Sequence, residues 1–249
     1  MQRWNDQMKI GILGISPGAG AGFLCVCLAK ALVAAGGGKG RAGAAATAAV
    51  LELGNGGLYE RLAMDKRFAE GGYFDFHGAA AADRSVRGRG NWSGGINWML
   101  RNDAIELDLC QRMRLLHNAE GDFVFCRLSG VPEEELRRLL PEMDRVVAVV
   151  DPLPSALLQG YGQLCELRGS ELPVTYVVNK MNAGVDRRQL HAFLNLGRPL
   201  EVLMLPAEVL YAAEYAGRTV YDLPNGRAAL EPGCAAVLET LLGRRPGKS

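Results

Sequence analysis

Net charge is nearly absent from this sequence: 28 Lys and Arg against 27 Asp and Glu leave +1 over 249 residues. Such a balance lacks the broad positive field that non-specific nucleic-acid binding requires. Long apolar runs are missing as well. The longest stay well short of the roughly 20 residues that cross a bilayer, and Met1 to Asp6 lack the charged-then-apolar pattern of a secretory leader. The expectation is a cytoplasmic protein with no transmembrane segment. Metal ligands are sparse: the three histidines, His77, His117 and His191, stand in unrelated segments without a partner at ligand spacing. The six cysteines form no C-x-x-C pair, and Cys25 and Cys27 would leave one helix on different faces. All six therefore read as buried thiols. Ser129 and Ser155 have no G-x-S-x-G elbow around them, which removes the sequence case for a nucleophilic hydrolase.

What is present is a large apolar content, 49% of the chain, enough to fill the core of a single domain spanning 1–249. Apolar, β-rich runs recur at Ile10 to Ile15, Ala48 to Leu53, Phe123 to Leu128, Val146 to Val150, Val174 to Val178 and Val202 to Leu205. Helical stretches lie between them, at Phe23 to Ala35, Ala104 to Asn118, Pro132 to Leu140, Ser155 to Arg168, Asp186 to Asn195 and Glu208 to Ala216. This alternation predicts an α/β fold with a doubly wound, mostly parallel sheet flanked by helices. Ligands of such sheets bind at the carboxyl ends of the strands. Asp186 and Ser155 are placed to cap helices, and Pro132 with Glu133, Glu134 and Glu135 suits a first helical turn. Asp151 reads as a loop-shaping residue on the ligand-facing edge. Gly36 to Ala49 reads as a loose connection and Gly54 to Asn102 as an irregular insertion. The latter carries the basic run Arg84, Arg87, Arg89, read as a solvated loop. Val237 to Arg245 reads as a docked terminal helix with a frayed tail, too short and too weakly basic for peripheral membrane contact.

The first strand leads into Ile15-Ser16-Pro17-Gly18-Ala19-Gly20-Ala21-Gly22 and then into a helix. Strand, glycine-rich turn and helix form the P-loop NTPase-like arrangement, in which G-x-x-x-x-G-K-[ST] sets a lysine on phosphates and a hydroxyl on Mg²⁺. With Gly20 as the glycine before that lysine, Ala21 and Gly22 stand in place of the lysine and the hydroxyl residue. Backbone N–H groups of Gly18, Ala19, Gly20, Ala21 and Gly22 remain able to meet an anion, since those donors do not depend on side chains. A dinucleotide fingerprint is weaker, because no G-x-G-x-x-G falls in register and Glu52 is the only acid well placed after the second strand.

Later segments resemble the MinD/ParA branch of P-loop ATPases over nearly the whole chain. Asp122-Phe123-Val124-Phe125-Cys126-Arg127-Leu128-Ser129-Gly130 is similar to the family's strand and switch D-[FY]-apolar-apolar-apolar-D-x-x-x-G. Pro173 to Lys180 resembles the strand ending in N-[RK], and Leu205-Pro206-Ala207-Glu208 with Gly217-Arg218-Thr219-Val220 resembles I-P-x-D and the segment after it. The resemblance implies that Asn179 and Pro206 would join Gly18 to Gly22 if a nucleotide or anion binds. It also locates four departures. Ser16 replaces a lysine that in relatives reaches across a dimer. Ala21 and Gly22 replace the second lysine and the hydroxyl. Glu52-Leu53-Gly54 keeps one acid of D-x-D, and Arg127 stands where the strand's closing acid belongs.

Together these imply a P-loop whose hydrolytic chemistry is gone: a non-catalytic scaffold or regulatory protein in localisation or assembly of a larger complex. It would require no cofactor, with ATP, ADP or a phosphate-like anion as the ligand if one is retained. The partner would be another protein or a second copy, through Tyr73, Phe74, Arg87, Trp92 and Trp98, aromatic and arginine residues typical of interfaces. The alternative is a nucleotide-gated ATPase in which Arg127, or Lys39, Arg41 or Arg87 of a partner, replaces the missing lysine or metal charge.

Overall fold

The computed structural model describes residues 7–36, 45–102, 105–196 and 199–243. Lys39, Arg41, most of the Gly36 to Ala49 connection, the N-terminal hexapeptide, Ala104 and the tail from Arg244 lie outside them. Eight strands form one sheet in the order β3-β4-β2-β5-β1-β6-β7-β8. They are β1 (Met8–Gly14), β2 (Ala48–Glu52), β3 (Trp92–Ser93), β4 (Ile96–Met99), β5 (Phe123–Arg127), β6 (Arg145–Val150), β7 (Val174–Met181) and β8 (Leu200–Leu203). All neighbouring pairs are parallel except the β3–β4 hairpin. The central strands read as unbroken apolar runs because both faces are covered. One face, with Ile10, Ile12, Val50, Phe125 and Val147, packs under α1 (Ala21–Ala34). The other, with Leu13, Leu51, Val124, Cys126 and Val146, packs under helices inserted later in the chain.

β1 lies between β5 and β6, so the connections leaving it in the two directions diverge there. That switch point is where a doubly wound sheet opens a crevice at its carboxyl edge, and the glycine loop sits in it. Helices α2 (Leu58–Arg61), α3 (Met64–Arg67) and α4 (Phe76–Ala81) follow β2, and α5 (Leu109–Asn118) precedes β5. α6 (Glu133–Leu139) follows β5; α7 (Pro154–Gln159) and α8 (Tyr161–Gly169) follow β6. α9 (Arg187–Leu194), α10 (Ala207–Tyr215) and α11 (Pro224–Leu241) complete the α-helices of the described residues.

Several elements differ from the sequence expectation, each for a local reason. The insertion is far from irregular. It supplies the β3–β4 edge of the sheet, and Trp98 is fully buried, its ring flanked by the Lys30 ammonium at 5.9 Å and the Arg67 guanidinium at 5.5 Å. Tyr73 also turns inward, its hydroxyl accepting from the Leu100 amide (2.7 Å) and sharing its one proton between the carbonyls of Leu100 (2.9 Å) and Trp98 (3.1 Å), and Phe74 packs edge-on against Phe76. Of the five residues expected at an interface, only Arg87 and Trp92 keep exposed surfaces. α5 starts later than expected because Asp108 and Gln111 form a capping box. The expected Ser155 to Arg168 helix is two helices broken at Gly160, where a Cβ would collide with the Ile15 carbonyl oxygen. Ser155 lies inside α7, whose N-cap is Leu153. Asp186 caps α9, accepting from the amides of Arg188 and Gln189. The terminal helix begins at Pro224 and accommodates Pro232. Cys110 and Cys165 are exposed on the outer sides of α5 and α8, contrary to the expectation of six buried thiols. The other four are buried, and burial pushes the Cys126 thiol up to about 12.

Candidate functional site

The glycine loop joins β1 to α1 with Gly18 and Gly20 in left-handed conformations, φ 78° and 92°, which a residue with a Cβ adopts only under strain. The Gly14 amide donates to Ser129 Oγ (2.9 Å), tying the loop's entry to the turn after β5. Asn179 Nδ2 donates to the Ala19 carbonyl (2.9 Å) and packs so closely on Gly20 that a Cβ there would strike it. Asn179 thus lies on the glycine-loop edge, near the end of β7, as its position in the strand implied. Lys180 follows it at φ 60°. Its ammonium donates to the Gly18 carbonyl (2.7 Å) and to Asp151 Oδ2 (2.6 Å), whose other oxygen accepts from the Leu153 amide. Asp151 therefore shapes its loop and also holds a lysine of the neighbouring strand on the glycine loop.

Beside the first turn of α1, Arg127 Nη1 donates to Glu52 Oε1 (2.6 Å) and to the Gly56 carbonyl (3.0 Å). Glu52 is completely buried, and its second oxygen accepts from the Arg101 amide (3.0 Å). Burial pushes the Glu52 carboxyl above its ordinary range, while the Arg127 guanidinium opposes that push. The buried His77 ring is held to the Glu52 carbonyl by Nε2 at 2.7 Å, and burial lowers its basicity. Two glycines limit which side chains fit here. A Cβ at Gly54 would collide with the Ser129 carbonyl, so no acid fits at that position, and a Cβ at Gly22 would meet Arg127 Nε at 3.2 Å.

Hard divalent cations need oxygen ligands. Glu52 has both oxygens engaged, Gly54 has no room for an acid, Gly22 has no hydroxyl, and a guanidinium closes β5. These residues do not fit Mg²⁺. Among the described residues no group of three or more His, Cys, Asp or Glu is arranged to hold a metal.

Two cavities open along this edge. One of about 650 Å³ is lined by the loop from Ser16 to Phe23, by Asn55 to Leu58 and by Arg127 to Val131. A second of about 360 Å³ is walled mainly by apolar side chains, including Phe23, Val26, Leu62, Leu205 and Leu210, with Asn179 and Lys180 at its rim. Gly20, Phe23, Leu58 and Arg61 line both. Gly18, Ala19, Gly20, Ala21 and Gly22 thus face the first cavity and Asn179 the second, whereas Pro206 lines neither and serves as the N-cap of α10. Sequence reasoning missed Lys180 and Arg61. Lys180 was legible as the last charged residue of an edge-facing strand, but Arg61 falls in a segment with no readable periodicity.

No family model matches the sequence, and no curated protein does. Solved structures match over nearly the full length. A ParA family ATPase from Chlorobium tepidum TLS superposes with a TM-score of 0.71 at 13% identity, covering 94% of this chain and 98% of that one. The septum site-determining protein MinD of Pyrococcus horikoshii OT3, complexed with Mg-ADP, gives 0.68 at 12% identity over 96% and 100%. The Aquifex aeolicus MinC:MinD cell division complex gives 0.67 at 13% over 97% and 98%. With its eight-stranded sheet and a glycine loop at the switch point, this chain has the fold of the MinD/ParA-like P-loop NTPases.

Proposed function

We propose that this protein is a non-hydrolysing scaffold or regulatory protein of MinD/ParA-like build, acting in the localisation or assembly of a larger complex. The observation that carries this reading is the ion pair of Arg127 with the fully buried Glu52. Phosphoryl transfer is driven by positioned charge: a lysine and a metal that neutralise the phosphates, and a group that orients water. Here the lysine and hydroxyl positions are Ala21 and Gly22, and the surviving acid is spent on Arg127. Removing one such electrostatic element typically costs about 3 kcal/mol in the barrier, so their joint absence leaves no effective hydrolysis. Arg127 does not supply a free positive charge in place of a metal either, because Glu52 compensates it.

Phosphate release from ATP and GTP with Mg²⁺ tests the reading. The expected rate equals that of buffer. Turnover that survives repurification and disappears in Gly20→Pro would overturn it.

A second reading, a nucleotide-binding protein whose assembly is gated by ligand, draws on the paired cavities. Backbone amides of Gly18 to Gly22 would meet phosphate, and the apolar chamber by Asn179 would take the base. The Pyrococcus horikoshii MinD structure, with its Mg-ADP, lends it a precedent. Titration calorimetry with ATP and ADP, with and without Mg²⁺, separates the two readings: saturable heat supports the second.

A further inference from the structure

α10 is an unusual surface element. Of its nine residues only Ala213 is buried, while Tyr211 is 65% and Tyr215 89% exposed and Leu210 also faces solvent. Glu208 and Glu214 are exposed on the same helix, and neither has an ion-pair partner among the described residues. Isolated helices this short are marginal in water and normally gain their stability from packing. An outer face of two tyrosines between two unpaired acids is therefore suited to cover by something cationic: arginine pairs with carboxylates and also stacks on aromatic faces.

The matching chemistry lies on the other face of the same sheet. The loop before β3 carries Arg84, Arg87 and Arg89, all exposed and without an acidic partner among the described residues. The nearest acid in sequence, Asp83, is already paired with Arg114. Arg89 rests over the Phe74 ring at 5.5 Å, and Trp92 on the edge strand is 43% exposed. Val86 within the arginine loop and Phe74 beneath it pack into the core on one face of the sheet, whereas Ala213 and Val209 of α10 pack into the core on the other, so the sheet stands between the two patches. The two patches therefore cannot meet within one chain.

We propose that copies of this protein associate head to tail, the Arg84 to Arg89 loop of one seating on the tyrosine and glutamate face of α10 in the next. A contact between two different patches is heterologous, so it builds rings if the rotation closes and open filaments if it does not. It uses no residue of the glycine loop, although Glu214 of α10 also lines the apolar cavity beside Asn179. It also differs from a twofold dimer, which would need both patches within one self-complementary surface.

Light scattering coupled to size-exclusion chromatography, over a concentration series at low and high salt, reads the result. Wild type should associate at low salt and weaken on the order of tenfold or more as salt screens the contact. Glu208→Arg with Glu214→Arg should be monomeric, as should Arg84→Glu with Arg87→Glu and Arg89→Glu. Mixed in equal amounts, the two variants should associate again, because each then offers the patch the other needs. Circular dichroism and the unfolding midpoint confirm that each variant is folded; where one is not, Glu214→Gln and Arg87→Gln should still each weaken association. A monomeric wild type at every concentration, a variant that associates like wild type, or a mixture of folded variants that stays monomeric would each overturn the proposal.

Discussion

At the centre of the carboxyl edge, charged groups close on one another: Glu52 with Arg127 and Asp151 with Lys180, each at 2.6 Å. At the end of β8 and along α10, Leu203, Met204, Leu210, Tyr211 and Tyr215 stand exposed and α10 buries a single side chain. The contrast follows from solvation. Next to the buried first turn of α1 an unpaired charge would be costly, so an arginine in the switch strand is stable only with a buried acid beside it. At the rim, exposed tyrosines and glutamates are well hydrated and stay available to another surface. The centre turns its chemistry inward, and α10 faces outward.

The largest expected effect comes from breaking the closed centre. Arg127→Ala leaves Glu52 buried without its partner and should cost about 3–5 kcal/mol in urea unfolding. Replacing both residues by apolar ones, Glu52→Met with Arg127→Leu, should cost less than Arg127→Ala alone, since no buried charge remains. The pH dependence has a definite sign. Without the opposing guanidinium, burial holds the folded Glu52 carboxyl still further above its ordinary value of 4.5. A raised folded value means that the contribution is fully present below the unfolded value and is lost as pH rises through the folded one. The unfolding free energy of Arg127→Ala should therefore fall, relative to wild type, as pH increases from 4 towards neutrality.

Next in size is Gly54→Asp, the change that restores the missing acid. Its Cβ collides with the Ser129 carbonyl, and overpacking of this kind costs on the order of 1–3 kcal/mol. A variant as stable as wild type would show that the turn after β5 yields more than its contacts suggest. At the open end, Tyr211→Ala and Tyr215→Ala should change the stability of the dilute protein by no more than about 0.5 kcal/mol, as exposed surface substitutions do. The smallest effect is expected from Ala21→Lys with Gly22→Thr. Arg127 stands 3.2 Å from the new Cβ at position 22 and the second acid is still missing, so phosphate release should stay at background. Efficient hydrolysis by that variant would mean that the two loop positions alone limit turnover.

Much of the fold was legible because buried parallel strands leave continuous apolar runs, and β1, β2, β5, β6 and β7 all announced themselves that way. β3 and β4 did not. They are short, their residues Trp92, Ser93 and Ile96 to Met99 sit among glycines and polar side chains, and burial of Trp98 comes from contacts distant in sequence. At the site, the glycine loop and Asn179 could be placed from the order of strands alone. The partners of Arg127 could not, because β2 and β5 are 75 residues apart at the Glu52–Arg127 contact and only their pairing brings the two charges together. Lys180 could be placed on that edge, but its contact with Gly18 could not, because a left-handed backbone makes it.

The central claim is that the Glu52–Arg127 pair has taken the place of a metal–nucleotide centre, and Mn²⁺ electron paramagnetic resonance with ATP tests it most directly. Adding the protein should leave the spectrum of Mn²⁺ and ATP unchanged beyond dilution. A protein-dependent, saturable Mn²⁺·ATP signal that is lost when Gly20 is substituted would contradict the account.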